Sequence, residues 1–318
     1  MSIKIISITP ITHISGVVSK LESIGDLSIK EDPSQEELIE IVSSYDAIFT
    51  NPNKSKIYLD SSVFKVAKNL KVICTASTGT NHINKKDIED YSIDLLSLTE
   101  EREVIDNISS TAEHALALTM CSIRNVPSSF DNVMSGYWDY EQFVGRQMDK
   151  LTVGIIGYGR LGSKYAEYML ALGAQVIAFD PFKSINDGRI VQKKKLDSIF
   201  DLSDIISIHV HVNDDTTGLI NSSLLNKAKK DLVLINTARG EIIDEDALVN
   251  FLKSNPESKA AVDVLADEIL LREQNKLLNF AKDSHQVIIT PHIGGMTREA
   301  QEIAYNHAAE MLSKYFKG

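Results

Sequence analysis

The stretch Val153-Gly154-Ile155-Ile156-Gly157-Tyr158-Gly159-Arg160-Leu161-Gly162 constrains this chain more than any other. Three glycines at that spacing, set between an apolar run and an amphipathic one, fit a strand, a tight turn and the start of a helix. Leu151 to Ile156 reads as the strand, and Leu161, Tyr165, Tyr168 and Leu172 follow at helical spacing before Gly173 supplies a stop. In such a turn Gly157 permits the sharp reversal, Gly159 lets the backbone approach a pyrophosphate, and Gly162 lets the helix sit close on the sheet with its N-terminal N–H groups toward the anion. Gln175 to Phe179 reads as the next strand, and Asp180 stands at its end, 23 positions after Gly157. A carboxylate there accepts hydrogen bonds from an adenosine ribose and repels a 2′-phosphate, so the expected cofactor is NAD in preference to NADP.

The rest of the chain is long enough for a second domain. Its 318 residues, 43% of them hydrophobic, suit two α/β units with separate cores. A formal charge of −11 opposes nonspecific binding to nucleic acid or to an anionic membrane. Cys74 and Cys121 lack metal-ligand spacing and sit among apolar neighbours, which suggests buried reduced thiols and a cytoplasmic setting. The apolar start of the chain is too short for a signal peptide and reads as a strand, and no stretch reaches membrane-spanning length.

Strand-like runs alternate with helical patterns throughout, the mark of doubly wound α/β architecture with mostly parallel sheets. Before the glycine turn, strands are expected near Ile3 to Ile8, Ala47 to Thr50, Val72 to Cys74 and Ile93 to Leu96, with a helix opened by the capping box Ser34 to Glu37. Ser109 to Asn125 reads as a crossover helix. After the turn come Ile205 to Val210, Leu232 to Asn236, Ala260 to Val264 and Gln286 to Thr290. Ligands bind beyond the carboxyl ends of strands in open α/β sheets, so these four ends should share one cleft.

At those ends stand His209 and His211, Thr237-Ala238-Arg239-Gly240, Asp263 with Glu268, and Pro291-His292-Ile293-Gly294-Gly295. A cation, carboxylates and an imidazole beside a nicotinamide are the parts needed to reduce a 2-oxo acid. Hydride addition to a ketone builds charge on oxygen, which calls for a fixed guanidinium and a proton donor. Arg239 suits the first role, holding a carboxylate and polarising its carbonyl; His292 suits the second, and Glu268 would orient the imidazole and favour its charged form. His209 and His211 share a strand face, but no third metal ligand is suggested, so no metal is expected. His82 and His114 read as hydrogen-bond formers and Trp138 as structural.

The run Leu234 to Leu248, with Val262-Asp263-Val264 and Thr290 to Gly295, resembles the D-isomer-specific 2-hydroxyacid dehydrogenase family, which includes D-3-phosphoglycerate dehydrogenase. The resemblance covers nearly the whole chain. It implies a Rossmann NAD-binding domain, residues 101–292, inserted into a flavodoxin-like substrate domain made of residues 1–100 and 293–318. It implies Arg239, Glu268 and His292 as the catalytic set, with Asp263 contacting the nicotinamide amide. Cofactor contacts are implied at Gly157, Gly159, Arg160, Leu161, Gly162, Asp180, His209, Val210, Thr216, Thr237, Ala238, Asp263 and Gly294. The substrate loop would be Thr78, Gly79 and Thr80, whose N–H groups face the substrate carboxylate, joined by Arg239 and His292. The implied activity is hydride transfer between NAD(H) and a D-2-hydroxy acid or its 2-oxo acid, with 3-phosphoglycerate among the candidates. A homodimer is implied through the Ser109 to Asn125 helix and the segment after it. The same scaffold also serves NAD-sensing corepressors, which is the alternative reading.

Three departures from the family pattern bear on these expectations. No proline follows Glu268, where the chain reads Ile269-Leu270, so Glu268 rests on its spacing from Asp263. His211 replaces a usual proline beside the adenosine. Thr75 stands where some phosphoglycerate dehydrogenases carry a phosphate-binding arginine, a role Arg102 could fill.

Overall fold

The computed structural model describes residues 2–52, 57–269 and 271–318. The chain divides into two compact units, one of residues 1–108 and 295–318 and the other of residues 109–294. Each is built on its own parallel sheet.

The first unit carries strands β1 (Lys4–Ser7), β2 (Asp26–Ile29), β3 (Ala47–Thr50), β4 (Val72–Thr75) and β5 (Asp94–Leu96), in the order β2-β1-β3-β4-β5. That is the flavodoxin-like order, and every neighbouring pair is parallel. Alternation divides the side chains between two cores. Ile5, Phe49 and Cys74 pack on one face with the helix Arg298–Lys317, while Ile6, Ile48 and Ile73 pack on the other around Leu38 and Phe64. The helix Gln35–Ile41 opens on a capping box in which Ser34 and Glu37 satisfy each other's backbone N–H.

The second unit carries β6 (Thr152–Ile156), β7 (Gln175–Phe179), β8 (Ile190–Gln192), β9 (Ile205–Ile208), β10 (Val233–Asn236), β11 (Lys259–Val262) and β12 (Val287–Ile289). Their order, β12-β11-β10-β9-β6-β7-β8, is the 3-2-1-4-5-6 winding of a Rossmann sheet extended by one strand. The order reverses between β6 and β9, so the turns after these two strands lie side by side. The helix Ser110–Ile123 packs on β10, β11 and the helix Arg160–Ala171.

The unit boundaries fall at 108/109 and 294/295, against 100/101 and 292/293 read from the sequence. Ile105, in the short helix Arg102–Ile105, is buried in the first unit's core, which carries that unit eight residues further. At the other end the Asp263 carboxylate accepts the N–H groups of Ile293 and Gly294, which binds both residues to the second unit. Strands β2 and β8 have no counterpart among the expected elements. Both are sheet edges, and Asp26–Ile29 has no fully buried residue while only Ile190 is buried in β8, so neither shows an apolar run. Of the stripe expected on the helix after the glycine turn, only Tyr165 is fully buried, beside Gly162, Ala166 and Met169, and Leu172 is exposed. Of the two thiols, Cys74 is buried as expected and Cys121 only half-buried.

Candidate active site

In the second unit the glycine turn follows β6 with Gly157 at φ +89°, in the left-handed region. A Cβ at Gly157 would lie 2.7 Å from the His209 carbonyl oxygen, and one at Gly162 would lie 2.0 Å from the Gly157 carbonyl oxygen. Gly159, by contrast, borders open space. The helix Arg160–Ala171 starts at Gly159 without a side-chain cap, which leaves its first turn suited to an anion. Asp180 closes the turn from the neighbouring strand: Oδ2 accepts the Tyr158 N–H at 2.9 Å, and Oδ1 accepts those of Phe182 and Lys183. The cradle, the uncapped helix and the carboxylate at the adjacent strand end fit a dinucleotide. Gly157, Gly159, Arg160, Leu161, Gly162 and Asp180 are the residues that would hold it.

His209 and Val210 follow β9, beside this turn. The His209 ring turns inward, with Nε2 2.8 Å from Ser207 Oγ and its plane against Tyr165, and burial pushes its pKa down to about 3. Val210 and the His209 carbonyl are what border Gly157. No cluster of metal ligands occurs among the described residues.

Three further strand ends of the same sheet edge carry the expected chemistry. After β10, buried Asn236 ties the Thr237-Ala238-Arg239 turn: its Oδ1 accepts the Ala238 N–H at 3.0 Å and its Nδ2 donates to the Arg239 carbonyl at 2.8 Å. The Arg239 guanidinium donates one N–H back to the Ala238 carbonyl at 2.6 Å. Burial lowers its pKa, while Glu268 and Glu241 raise it. The Thr237 hydroxyl is buried and finds no partner among the described residues. After β11, Asp263 is 1% exposed. Its oxygens accept from Thr290 Oγ1 at 2.5 Å, the Ile293 N–H at 2.9 Å and the Gly294 N–H at 2.7 Å, with His114 Nε2 3.3 Å away. Burial works to raise its pKa, but these donors prevail and hold the carboxyl below its ordinary value.

After β12, His292 adopts φ +56°, a conformation that favours glycine or asparagine. Its N–H is anchored on the Asp263 carbonyl at 2.9 Å. Its Nδ1 lies 2.6 Å from Glu268 Oε1, and Glu268 Oε2 accepts the Leu265 N–H at 3.3 Å. The structure thus brings Glu268 to His292 without the proline that the family pattern has after the glutamate. The sequence alone assigns no role to Asn236, whose short amide at a strand end is an ordinary turn signal, or to Thr290, which links Asp263 to His114.

In the first unit the loop after β4 is shaped by its own side chains. Ser77 Oγ donates to the Gly79 carbonyl at 2.7 Å, and Thr99 Oγ1 donates to the Thr78 carbonyl at 3.0 Å. The N–H groups of Thr78, Gly79 and Thr80 donate to no acceptor among the described residues, which leaves a row of donors suited to a carboxylate. Thr75 is fully buried and bonded to Ser77. His82 is fully buried, and its carbonyl accepts the Leu59 N–H. Thr216, in the second unit, donates to the His211 carbonyl in an exposed loop. Trp138, expected to be structural, is 87% exposed.

Comparison with known proteins agrees with this geometry. Residues 116–294 match the family described as D-isomer specific 2-hydroxyacid dehydrogenase, NAD binding domain. A D-3-phosphoglycerate dehydrogenase of Synechocystis sp. is 32% identical over 302 residues, which cover 94% of this chain and 52% of that protein. The chain therefore spans about half the length of such relatives. A hydroxypyruvate reductase of Thermotoga maritima is 31% identical over 90% of this chain and 89% of its own length. Among solved structures, a D-lactate dehydrogenase from Aquifex aeolicus complexed with NAD and lactic acid matches with a TM-score of 0.81 and 25% identity, over 99% of this chain and 96% of that one. This chain belongs to the D-isomer-specific 2-hydroxyacid dehydrogenase family and carries its NAD-binding domain.

Proposed function

We propose that this protein is an NAD-dependent oxidoreductase that interconverts a D-2-hydroxy acid and the corresponding 2-oxo acid. The observation that carries this reading is the 2.6 Å pair of His292 and Glu268 at the same sheet edge as Arg239. NADH, when bound, supplies the hydride that reaches the carbonyl carbon. Arg239 takes the substrate carboxylate and stabilises the developing oxyanion with the N–H groups not committed to Ala238. His292 gives its proton to that oxygen in reduction and removes it in oxidation. Glu268 holds the ring and stabilises the imidazolium. Asp263 fixes the His292-Ile293-Gly294 backbone on which this depends, and the donor row of Thr78, Gly79 and Thr80 suits the substrate's carboxylate. Asp180 favours NAD, since a 2′-phosphate would meet its charge.

The relatives named as phosphoglycerate dehydrogenases put 3-phosphoglycerate among the candidate substrates, although buried Thr75 offers no charge to a phosphate. The free thiols fit a reducing cytoplasm, and no helix of the described residues is long and apolar enough to cross a membrane. A homodimer is supported by the apolar side chains left exposed between 126 and 144, among them Phe130, Met134, Trp138 and Tyr140.

The deciding experiment follows NADH absorbance with glyoxylate, pyruvate, hydroxypyruvate, 2-oxoglutarate and phosphohydroxypyruvate, with NADPH in parallel. Rapid turnover of one acid with NADH is expected. Tight NADH binding without turnover of any would favour a substrate outside this set or a nucleotide-sensing role.

A further inference from the structure

We infer that Glu245 and Asn275 are positioning residues for proton transfer, acting by fixing the loop that presents Glu268 to His292. This rests on the roles proposed above for those two residues. No proline follows Glu268 before Pro291, so the segment leading to the helix Lys276–Ala281 needs another restraint.

Glu245 supplies it from the first turn of the helix Glu245–Ser254. Its Oε1 accepts the Ala266 N–H at 3.1 Å, and its Oε2 accepts from Asn275 Nδ2 at 2.6 Å. Asn275 is buried, and the same Nδ2 donates to the Ala266 carbonyl at 3.2 Å while its Oδ1 caps the next helix through the Leu278 N–H at 2.9 Å. Both backbone groups of Ala266 are therefore gripped, two residues before Glu268. Gly240 lets the loop seat close behind Arg239, since a Cβ there would lie 2.0 Å from the Leu265 carbonyl carbon. Between the grip and Glu268 stands Asp267 at φ +52°, a strained conformation that needs fixed neighbours.

A plain helix-capping role does not account for Glu245. Asp244 already caps that helix, accepting the Ala247 N–H at 3.0 Å. Nor does the site favour a carboxylate's charge. Burial raises the pKa of Glu245 and the charges of Glu241 and Asp267 raise it further, against the lowering by Asn275 and Ala266. The charged groups around the assembly are thus Glu241 and Asp267 beside Glu245, Arg239 and Glu241 beside one another, and Glu268 against His292.

The test compares wild type, E245Q, N275D and the E245Q/N275D double variant in oxo-acid reduction across pH, with NADH affinity from fluorescence and folding from thermal melting. In E245Q a side-chain amide N–H faces the Asn275 amide, and in N275D two carboxylates face each other. In the double variant the amide introduced at position 245 can donate to the carboxylate introduced at position 275. Both single variants should lose about tenfold in kcat through misplacement of Glu268, with NADH affinity within about twofold of wild type. The alkaline limb of the reduction profile should move to lower pH, because a loosened Glu268 supports the imidazolium less. The double variant should recover part of the loss in N275D. A lowered melting temperature with a superimposable pH profile would overturn the inference and leave only a structural role. H292N serves as the control: if it retains turnover, the reading of His292 fails on its own account. Should wild type reduce none of the acids, the NMR titration midpoint of His292, assigned by its loss in H292N, carries the test. It falls in E245Q if Glu245 positions Glu268, and an unchanged midpoint refutes that.

Discussion

The two parallel sheets follow the same construction and end in different chemistry. The carboxyl ends of β1, β3 and β4 in the first unit carry Ser7, Thr50, Asn51, Thr75 and Ser77, neutral groups that largely bind one another or nearby backbone, as in Ser7 to the Thr9 carbonyl and Asn51 to the Ala76 carbonyl. Those of the second unit carry Asp180, Arg239, Asp263 and His292, with Glu268 close behind. Asp263 is buried and the others are half-buried, an unfavourable setting for polar and charged groups unless they are paired or bonded, and each has a hydrogen-bond partner built in. Architecture alone therefore does not locate the chemistry; the residues at the strand ends do. Under the proposed function, proton transfer and cofactor choice would fall to the second unit and anion recognition by neutral backbone groups to the first.

The sharpest way to break that division is to replace His292 with Asn, which tolerates the positive φ. The rate of 2-oxo acid reduction should fall by about a thousandfold with NADH affinity nearly unchanged, as measured by steady-state kinetics and fluorescence titration. A matching collapse of NADH binding would show that the position serves the cofactor instead. Asp180→Ala should lower the preference for NAD over NADP by about tenfold or more, read as a ratio of dissociation constants. An unchanged ratio would leave Asp180 only its backbone hydrogen bonds to Tyr158, Phe182 and Lys183.

On the first unit, Ser77→Ala removes the hydroxyl that fixes the Gly79 carbonyl. The KM for the oxo acid should rise about fivefold while kcat and NADH affinity stay close to wild type. A fall in kcat alone would contradict the division of labour.

The last prediction concerns stability rather than turnover. Burial keeps the His209 ring neutral in the folded protein, with its pKa pushed down to about 3, whereas in the unfolded chain it titrates near about 6.5. The unfolded state takes up a proton that the folded state refuses. Stability is therefore whole above about pH 6.5 and declines as pH falls toward about 3, by up to about 1.4 kcal/mol per unit from this residue. Urea unfolding at several pH values should show the slope, and His209→Gln should flatten it.

Much of this architecture is legible in the sequence. Ala47–Thr50 and Gln175–Phe179 read as strands with the bounds they have, because strands covered on both faces are unbroken apolar runs. Arg239, Asp263 and His292 are visible as polar residues just past such runs. Other features escape for physical reasons. The helix after the glycine turn lies so close to its neighbours that Gly162 and Ala166 face the core, and small residues do not register as a hydrophobic stripe. Trp138 shows that aromatic size does not guarantee burial within one chain. The grip of Asn275 on Glu245 spans 30 positions and the contact of His114 with Thr290 spans 176, separations over which no local pattern links the partners.

The insertion of one unit into the other also sets an order of events during synthesis. The helix Arg298–Lys317 buries Ala304, Tyr305, Ala308, Ala309 and Leu312 in the same core as Ile5, Phe49 and Cys74, and the Cys74 thiol donates to the Ala308 carbonyl at 3.3 Å. The first unit's strands are thus made before residues 295–318 and lack one wall of their core until these arrive. Residues 109–294, being continuous, can complete their own sheet in the meantime. At about 5–20 residues per second, the first sheet waits on the order of ten to forty seconds with an apolar face uncovered. Such a nascent face is open to chaperones, and loss of the helix Arg298–Lys317 would leave it exposed to aggregation.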